Sequence, residues 1–511
     1  MITNKKQLFR YTLITTFIIG LLSHGYCYFN LLFSHDSMPV NQNDVLWQVS
    51  LGRFLHPLYF KLRGPIYAPA LVGFLSLFFM AVTFYLIFQL FGITKKLTIW
   101  IFCGILITNT SITLLNATYI HDIDMYTLSL LLAVAAVYLC RNFRFGIIWG
   151  TLCLCASLGL YQSFMQVSIF LFMILAVMDI LHKKTFWEVL KKGLMGIGMI
   201  LGGLILYSIG VKVMIHLYDI SLSTGYNGIS TVGQYDSLSS IWMYIKGTYL
   251  YVWKCFLKPT IYNRSLIRIV NLILLAATLL FLFVISVNRK IKKENFLLLI
   301  ILLILMPFGS NVIYFISKGE EHRLMIYSLF LAYVFAELVF EEFCTLPAAE
   351  KFLATVQGRL KTIISVSIPA LIALVIFYSI VFANQAYLKK DMELKNTMLT
   401  LNRVVDRIEQ TEGYVMGETP VVIVGTLMES DLAKKRPGLK LPGTGLNSVF
   451  SVTDTTTYLE YFNNFLSYPI NLENASTSAQ WAQKEEVQDM PDFPAAGSCQ
   501  FIDGTLVVKF S

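Results

Sequence analysis

The sequence predicts an all-α polytopic membrane protein of about eleven transmembrane helices, followed by a small C-terminal α/β domain on the outer side. Three observations predict it. The 511-residue chain is 56% hydrophobic and 14% charged, with mean hydropathy +0.64, whereas soluble domains carry about 25% charged residues. The apolar residues fall into runs near the ~20 residues that a hydrocarbon core requires. The Lys and Arg residues gather in every second link between those runs, as the positive-inside rule demands.

Lys5, Lys6 and Arg10 precede the first apolar run, 11–33, which is longer than a signal-peptide core and lacks a small-residue cleavage site, so it is expected to stay as an uncleaved span. Further runs lie near 66–91, 98–116, 126–140, 145–160, 164–182, 194–217, 269–288, 296–317, 324–345 and 362–386. With the N-terminus in the cytoplasm, the cytoplasmic links hold Lys95 and Lys96, Arg141 and Arg144, Lys183 to Lys192, Arg289 to Lys293, and Lys351 to Lys361. The net charge of +9 is thus a topology signal, and no nucleic-acid partner is expected.

The outer links are then 34–65, 117–124, 161–163, 218–268 and 318–323, and acids and histidines collect there. VLWQVSLGRFLHPLYFKL and SLSSIWMYIKGTYLYVWKCFLKP mix aromatic and aliphatic residues with single charges, which suits short helices at the membrane interface. Lys246, Lys254 and Lys258 argue against the second being another span. Residues 1–386 therefore form the membrane domain. In 387–511, ELKNTMLTLNRVVDRIEQ reads as an amphipathic helix, and PVVIVG and GTLVVKF read as strands.

The candidate chemistry lies on the outer face. Ser34–Pro57 packs His35, Asp36, Asp44, Arg53 and His56 into one connection, and a carboxylate at the end of the first span is placed to act as general base. The bland alternative is a polar cap. Asp122 and Asp124, in HDID, have the spacing of metal-binding acid pairs; a divalent metal, a bound sugar and, for Asp124, a helix cap are the readings open to them. Tyr161 and Gln162 stand at a tight corner, suited either to sugar hydroxyls or to gluing helices together. His322 and Arg323 open the tenth run, where Arg323 suits a lipid phosphate or snorkels at a span end. No phosphate-binding loop, zinc-protease motif, nucleophile elbow or dinucleotide fingerprint is present, and the eight cysteines show no disulfide or metal spacing.

HDS at 35–37, SLGRFLHPLY at 50–59, LGLYQSFMQVSI at 158–169 and HRLMIYSLF at 322–330 together resemble the Gtr-type glucosyltransferases, the serotype-converting membrane enzymes that decorate bacterial O-antigen. The resemblance implies a GT-C-like glycosyltransferase of the bacterial inner membrane. It would move glucose from a polyprenyl-phosphate donor to a surface glycan acceptor, with inversion. It also implies an essential acid in the first outer loop, a role that falls on Asp36 with Asp44 in reserve. Many relatives have two adjacent acids where this chain has His35-Asp36, which leaves open whether Asp44 or Asp122 supplies a partner. The competing reading is a lipid or polysaccharide transporter, disfavoured because the runs themselves are nearly free of charge. A non-catalytic assembly factor that uses the tail for partner contact is the third.

Overall fold

A computed structural model of the chain describes residues 2, 4–33, 45–64, 68–224, 233–347, 359–435 and 455–510. His35, Asp36, Asp44 and Lys351 lie outside the described residues. The fold is a bundle of helices, eight of them among the described residues long and apolar enough to cross a membrane. Hydrocarbon offers no partner for a backbone amide, so each span must close its own hydrogen bonds.

In chain order the helices are α1 (Lys5–Phe29), α2 (Val45–Ser50), α3 (His56–Arg63), α4 (Pro69–Phe91), α5 (Lys96–Thr108), α6 (Thr110–Tyr119), α7 (Ile123–Asn142) and α8 (Gly146–Leu160). They continue as α9 (Met165–Leu181), α10 (Phe186–Tyr218), α11 (Leu238–Leu257), α12 (Arg264–Asn288) and α13 (Lys293–Ser310). After α14 (Val312–Ile316) come α15 (Leu331–Cys344) and α16 (Arg359–Glu409). Their ends follow local rules. Proline opens α4 and left-handed Gly92 closes it. A reciprocal Thr185–Glu188 capping box starts α10.

Contacts fix how the helices run. α1 lies antiparallel to α4, where Gly73 lets the Tyr28 ring approach so closely that a Cβ would lie 2.5 Å from it. α5 and α6 run beside α1 in the same direction, joined by His24, whose ring nitrogens reach Ile107 O at 3.0 Å and the Tyr387 hydroxyl of α16 at 2.7 Å. α7 and α8 are clasped by reciprocal bonds, Ser129 Oγ to Ser157 O at 2.9 Å and Ser157 Oγ to Ser129 O at 2.8 Å, the kind of small-residue contact that holds helices together in lipid.

The expected run 98–116 is divided at Asn109, whose side chain accepts the Ile112 amide at 3.1 Å and donates to Leu106 O at 2.8 Å, replacing ladder bonds lost at the break. Beyond it the expected outer link 117–124 is a buried 3-10 turn, Ile120–Asp122, inside a 33-residue apolar segment from Thr110 to Asn142. The boundary expected at 386 falls inside α16, one continuous helix of 51 residues that brings Lys389, Lys390 and Asp391, each buried, past the end of α1. Tyr26 of α1 donates to Asp391 at 2.9 Å.

After α16 the chain forms a four-stranded sheet in the order β2-β1-β4-β3. Its strands are β1 (Pro420–Val424), β2 (Asn471–Leu472), β3 (Cys499–Ile502) and β4 (Thr505–Lys509). β1 pairs in parallel with β2 and β4, while β3 and β4 form a hairpin closed by left-handed Asp503-Gly504. Val421 to Val424 are all buried, as the continuous apolar run requires of a central strand. Phe465 packs edge-on against Phe33, ring centroids 5.0 Å apart, so this part of the chain touches the same bundle end as α3.

Candidate active site

The site begins with α3. Pro57 sets its first turn, and His56, Tyr59, Phe60 and Arg63 follow at helical spacing, which places them on one face. The segment is stapled to the bundle: Leu55 donates its amide to Gly159 O at 2.9 Å, and Gln162 donates to Leu51 O at 2.8 Å and to the Tyr207 hydroxyl at 3.0 Å. Gln162 is thus spent on positioning the 45–64 segment.

The inward face of α3 covers the acids between α6 and α7. Asp122, fully buried, has one carboxylate oxygen 3.4 Å from His121 Nε2 and 3.6 Å from His56 Nε2, and the other 3.9 Å from the Arg63 guanidinium. Asp124 receives the Tyr59 hydroxyl at 2.6 Å and the Met125 amide at 2.9 Å, with Arg63 Nε at 3.5 Å. Burial, with the Asp124 carboxylate beside it, holds the Tyr59 phenol well above its ordinary pKa, so it remains a donor. Asp122 occupies the position before α7 without making a side-chain cap, so the two acids divide into one that is bonded and one that is not.

Both Asp122 oxygens, both His56 ring nitrogens and two Arg63 nitrogens are buried with no hydrogen-bond partner among the described residues. An unsatisfied buried polar group costs about 1–3 kcal/mol, more for charged groups, and here the described residues leave several such groups unmet in one place. Beside it Arg53 donates to Gln48 at 2.6 Å and to the Tyr126 hydroxyl at 3.3 Å, with its guanidinium carbon 5.4 Å from the Tyr161 ring centre. Among the described residues no group of three or more His, Cys, Asp and Glu side chains is arranged to hold a metal.

The expected site residues therefore fall into two places. Arg53, Asp122, Asp124, Tyr161 and Gln162 come together around α3. Arg323 instead lines a separate pocket with Lys254 and Lys258, next to exposed His322. Thr110 at the start of α6 lines that pocket, while Tyr119 at the other end of α6 packs 6.1 Å from the His121 ring; ten helical residues span about 14 Å. Tyr59 and Arg63 were not among the expected residues, nor were His56 and His121 given a site role. Their signal was present in HPLYFKLR, where residues 56, 59 and 63 share a helical face.

The fold and site define a multi-pass helical membrane protein with a buried charged site capped by a short helix at one end of its bundle. The glucosyl transferase GtrII family matches residues 25–340, more than half of the chain, and the chain belongs to that family. Glucosyl transfer at a membrane is the reaction class this assigns. No curated protein and no solved structure matches the chain. The family match takes in α3, the acids and Arg323, and leaves α16 and the sheet outside it.

Proposed function

We propose that the protein is a GT-C-type glycosyltransferase that moves a hexose, glucose by its family, from a polyprenyl-phosphate donor to a surface glycan on the outer side of a bacterial inner membrane. The observation that carries the reading is the unbonded, fully buried Asp122 between His56, His121 and Arg63, inside the stretch that matches a glucosyl transferase family. Sugars are rich in hydroxyls, each both donor and acceptor, and such a cage offers acceptors and donors at once.

Orientation is part of the same proposal. The bundle end that holds Lys95, Arg141, Lys184, Lys192 and Arg289 faces the cytoplasm, as the positive-inside rule predicts. With α5 and α6 counted as one crossing, and with the shorter α8 and α15 taken to cross as well, this reading has about eleven crossings. The site and the C-terminal sheet, 387–511 with the last turns of α16, then lie outside.

In the reaction, the acceptor hydroxyl oxygen forms a bond to the anomeric carbon as the bond from that carbon to the phosphate oxygen breaks. The electron pair leaves with the lipid phosphate, and the hydroxyl proton passes to a carboxylate. Asp36 is that base by family resemblance, with Asp44 in reserve, and Asp122 and Asp124 position sugar hydroxyls. The anomeric centre inverts. A basic side chain, Arg53 or Arg323, balances the phosphate charge.

Membranes holding an Asp36→Asn variant, supplied with polyprenyl-phosphate glucose and a crude surface glycan, test the base. Transfer is expected to fall by about 10²–10⁴-fold. Full transfer by the variant would remove Asp36 from the mechanism. Burial of Asp122 and Asp124 inside an apolar segment also suits a transporter. That reading gains if the wild type translocates lipid and consumes no lipid-linked hexose.

A further inference from the structure

Two cavities on the site side of the bundle share a wall. The first, of about 330 Å³, is an apolar groove between α11, α12, α13 and α15, lined by side chains such as Trp253, Leu275 and Ala332. Its volume lies within the roughly 300–1,000 Å³ of ligand pockets. The second, of about 70 Å³, is lined by Lys254, Lys258 and Arg323 and has room for a small group only. Phe256, Leu329 and Tyr333 line both, so the apolar groove and the basic pocket lie side by side.

Among the described residues the three cations of the small pocket lack a counter-charge. None has an ion pair among the described residues, and all three are exposed. Snorkelling would send such side chains apart into water; here they line one cavity, at a cost in mutual repulsion that an anion removes. The acid beside them, Glu321, does not supply the charge. Both its oxygens are buried without a hydrogen-bond partner among the described residues, and burial pushes its carboxyl up to about 8, so it is neutral at pH 7.

Arg53 is a poorer phosphate ligand than this trio. Its guanidinium is held by Gln48 and Tyr126 and lies against the Tyr161 ring, whereas Arg323 has no ion pair among the described residues. A basic pocket beside an apolar groove between membrane helices complements a phosphate joined to a long hydrocarbon chain.

We propose that Lys254, Lys258 and Arg323 bind the phosphate of the polyprenyl donor while its chain lies in the groove between α11, α12, α13 and α15. This rests on the glycosyltransferase reading for the donor's identity, and it divides the work. The lipid phosphate sits at the start of α6, and the acceptor glycan sits at the Asp122 cage at its other end. Lys254 and Lys258 are therefore ligands that fix where the donor enters, in addition to being anchors of an interfacial helix.

The test uses the full-length protein in lipid nanodiscs, with two readouts. Undecaprenyl phosphate binding is measured by native mass spectrometry, and transfer is measured with polyprenyl-phosphate glucose. The combined variant Lys254→Ala, Lys258→Ala and Arg323→Ala changes exposed side chains and is expected to fold. It should lose undecaprenyl phosphate binding and raise the donor KM about ten-fold or more, and kcat should fall as well because the departing phosphate gains charge. Ala332→Phe, which narrows the groove, should weaken binding of undecaprenyl phosphate while sparing a short-chain isoprenyl phosphate. Inorganic phosphate should not compete.

Unchanged undecaprenyl phosphate binding and donor KM in the combined variant would overturn the assignment, as would full competition by inorganic phosphate. If transfer persists unchanged in all variants, the lipid site fails and the transferase reading stands. If the wild type binds undecaprenyl phosphate through these residues but transfers no sugar, the lipid site stands and the transferase reading fails.

Discussion

At one end of the bundle Asp179 accepts Arg141 at 2.7 Å, Lys184 at 2.5 Å and Lys192 at 3.3 Å. At the other end Asp122 stands 3.4 to 3.9 Å from His121, His56 and Arg63 and bonds to none of them. Each acid faces three nitrogen-bearing side chains, yet the first cluster is closed and the second open. The closed one ties the ends of α7, α9 and α10 together with bonds a folded chain can complete alone. The open one has bonding capacity that the described residues leave unmet, which is what the proposed sugar site requires. An acid among bases is therefore weak support for a site, and the unmet hydrogen bonds are what distinguish this one.

The sharpest way to break that contrast is Asp122→Asn. Loss of the buried carboxylate should lower sugar transfer by about 10- to 100-fold, the worth of a hydrogen bond from a sugar hydroxyl to a charged group. The thermal midpoint in detergent should fall by less than in Asp179→Asn, since the three ion pairs of Asp122 are long, at 3.4 to 3.9 Å, and none closes as a hydrogen bond. A midpoint lowered as far as in Asp179→Asn, with transfer intact, would mean that Asp122 is structural, like Asp179.

The reciprocal change, Asp179→Asn, should behave in the opposite way. It leaves Arg141, Lys184 and Lys192 without their counter-charge. The loss of stability is expected at roughly 2–3 kcal/mol, below the 3–5 kcal/mol of a fully buried pair because Lys184 and Lys192 are about one-third exposed. Thermal unfolding measures it. Transfer per folded molecule should not change, and a large fall in that rate would make the closed cluster part of the catalytic apparatus.

The same contrast explains what could be read from the sequence. Apolar runs and alternating basic links are one-dimensional signals, and they located the helices of the bundle well, α1, α4 and α12 among them. Strand β1 was equally plain in PVVIV. The site was harder, because its bonds join residues far apart in the chain: Arg63 meets Asp124 and His56 meets Asp122 only once α3 folds back over the α6–α7 turn. HPLYFKLR was read as an interfacial helix from its composition, whereas its helical spacing marked one polar face. The acids of HDID fall in an expected outer link between two runs, and nothing in their own spacing shows that α3 covers and buries them. The boundary at 386 followed a change in composition, and α16 passes through it because its helical hydrogen bonds do not depend on composition.

A smaller effect sharpens the contrast at a third acid. Glu321, like Asp122, has two buried unbonded oxygens, but Tyr251, Cys255, Asn311 and Arg323 face it without an ion pair. Burial raises its folded-state pKa from about 4.5 to about 8, and burial also pushes the Cys255 thiol up to about 12, leaving it neutral over the same range. Between pH 4.5 and 8 the folded protein keeps a proton that the unfolded chain has lost, so this group makes stability fall as pH rises through that window and then level off. Glu321→Gln should flatten that slope, with a thermal midpoint closer to the wild type at pH 5 than at pH 8.5, where the variant is the more stable. Above pH 8 the ionised wild-type carboxylate should also weaken binding of a lipid phosphate at Lys254, Lys258 and Arg323, and the variant should retain it. Equal pH slopes in the two proteins would show that Glu321 is ionised throughout, and would remove it as the reason the three cations stay free for a ligand.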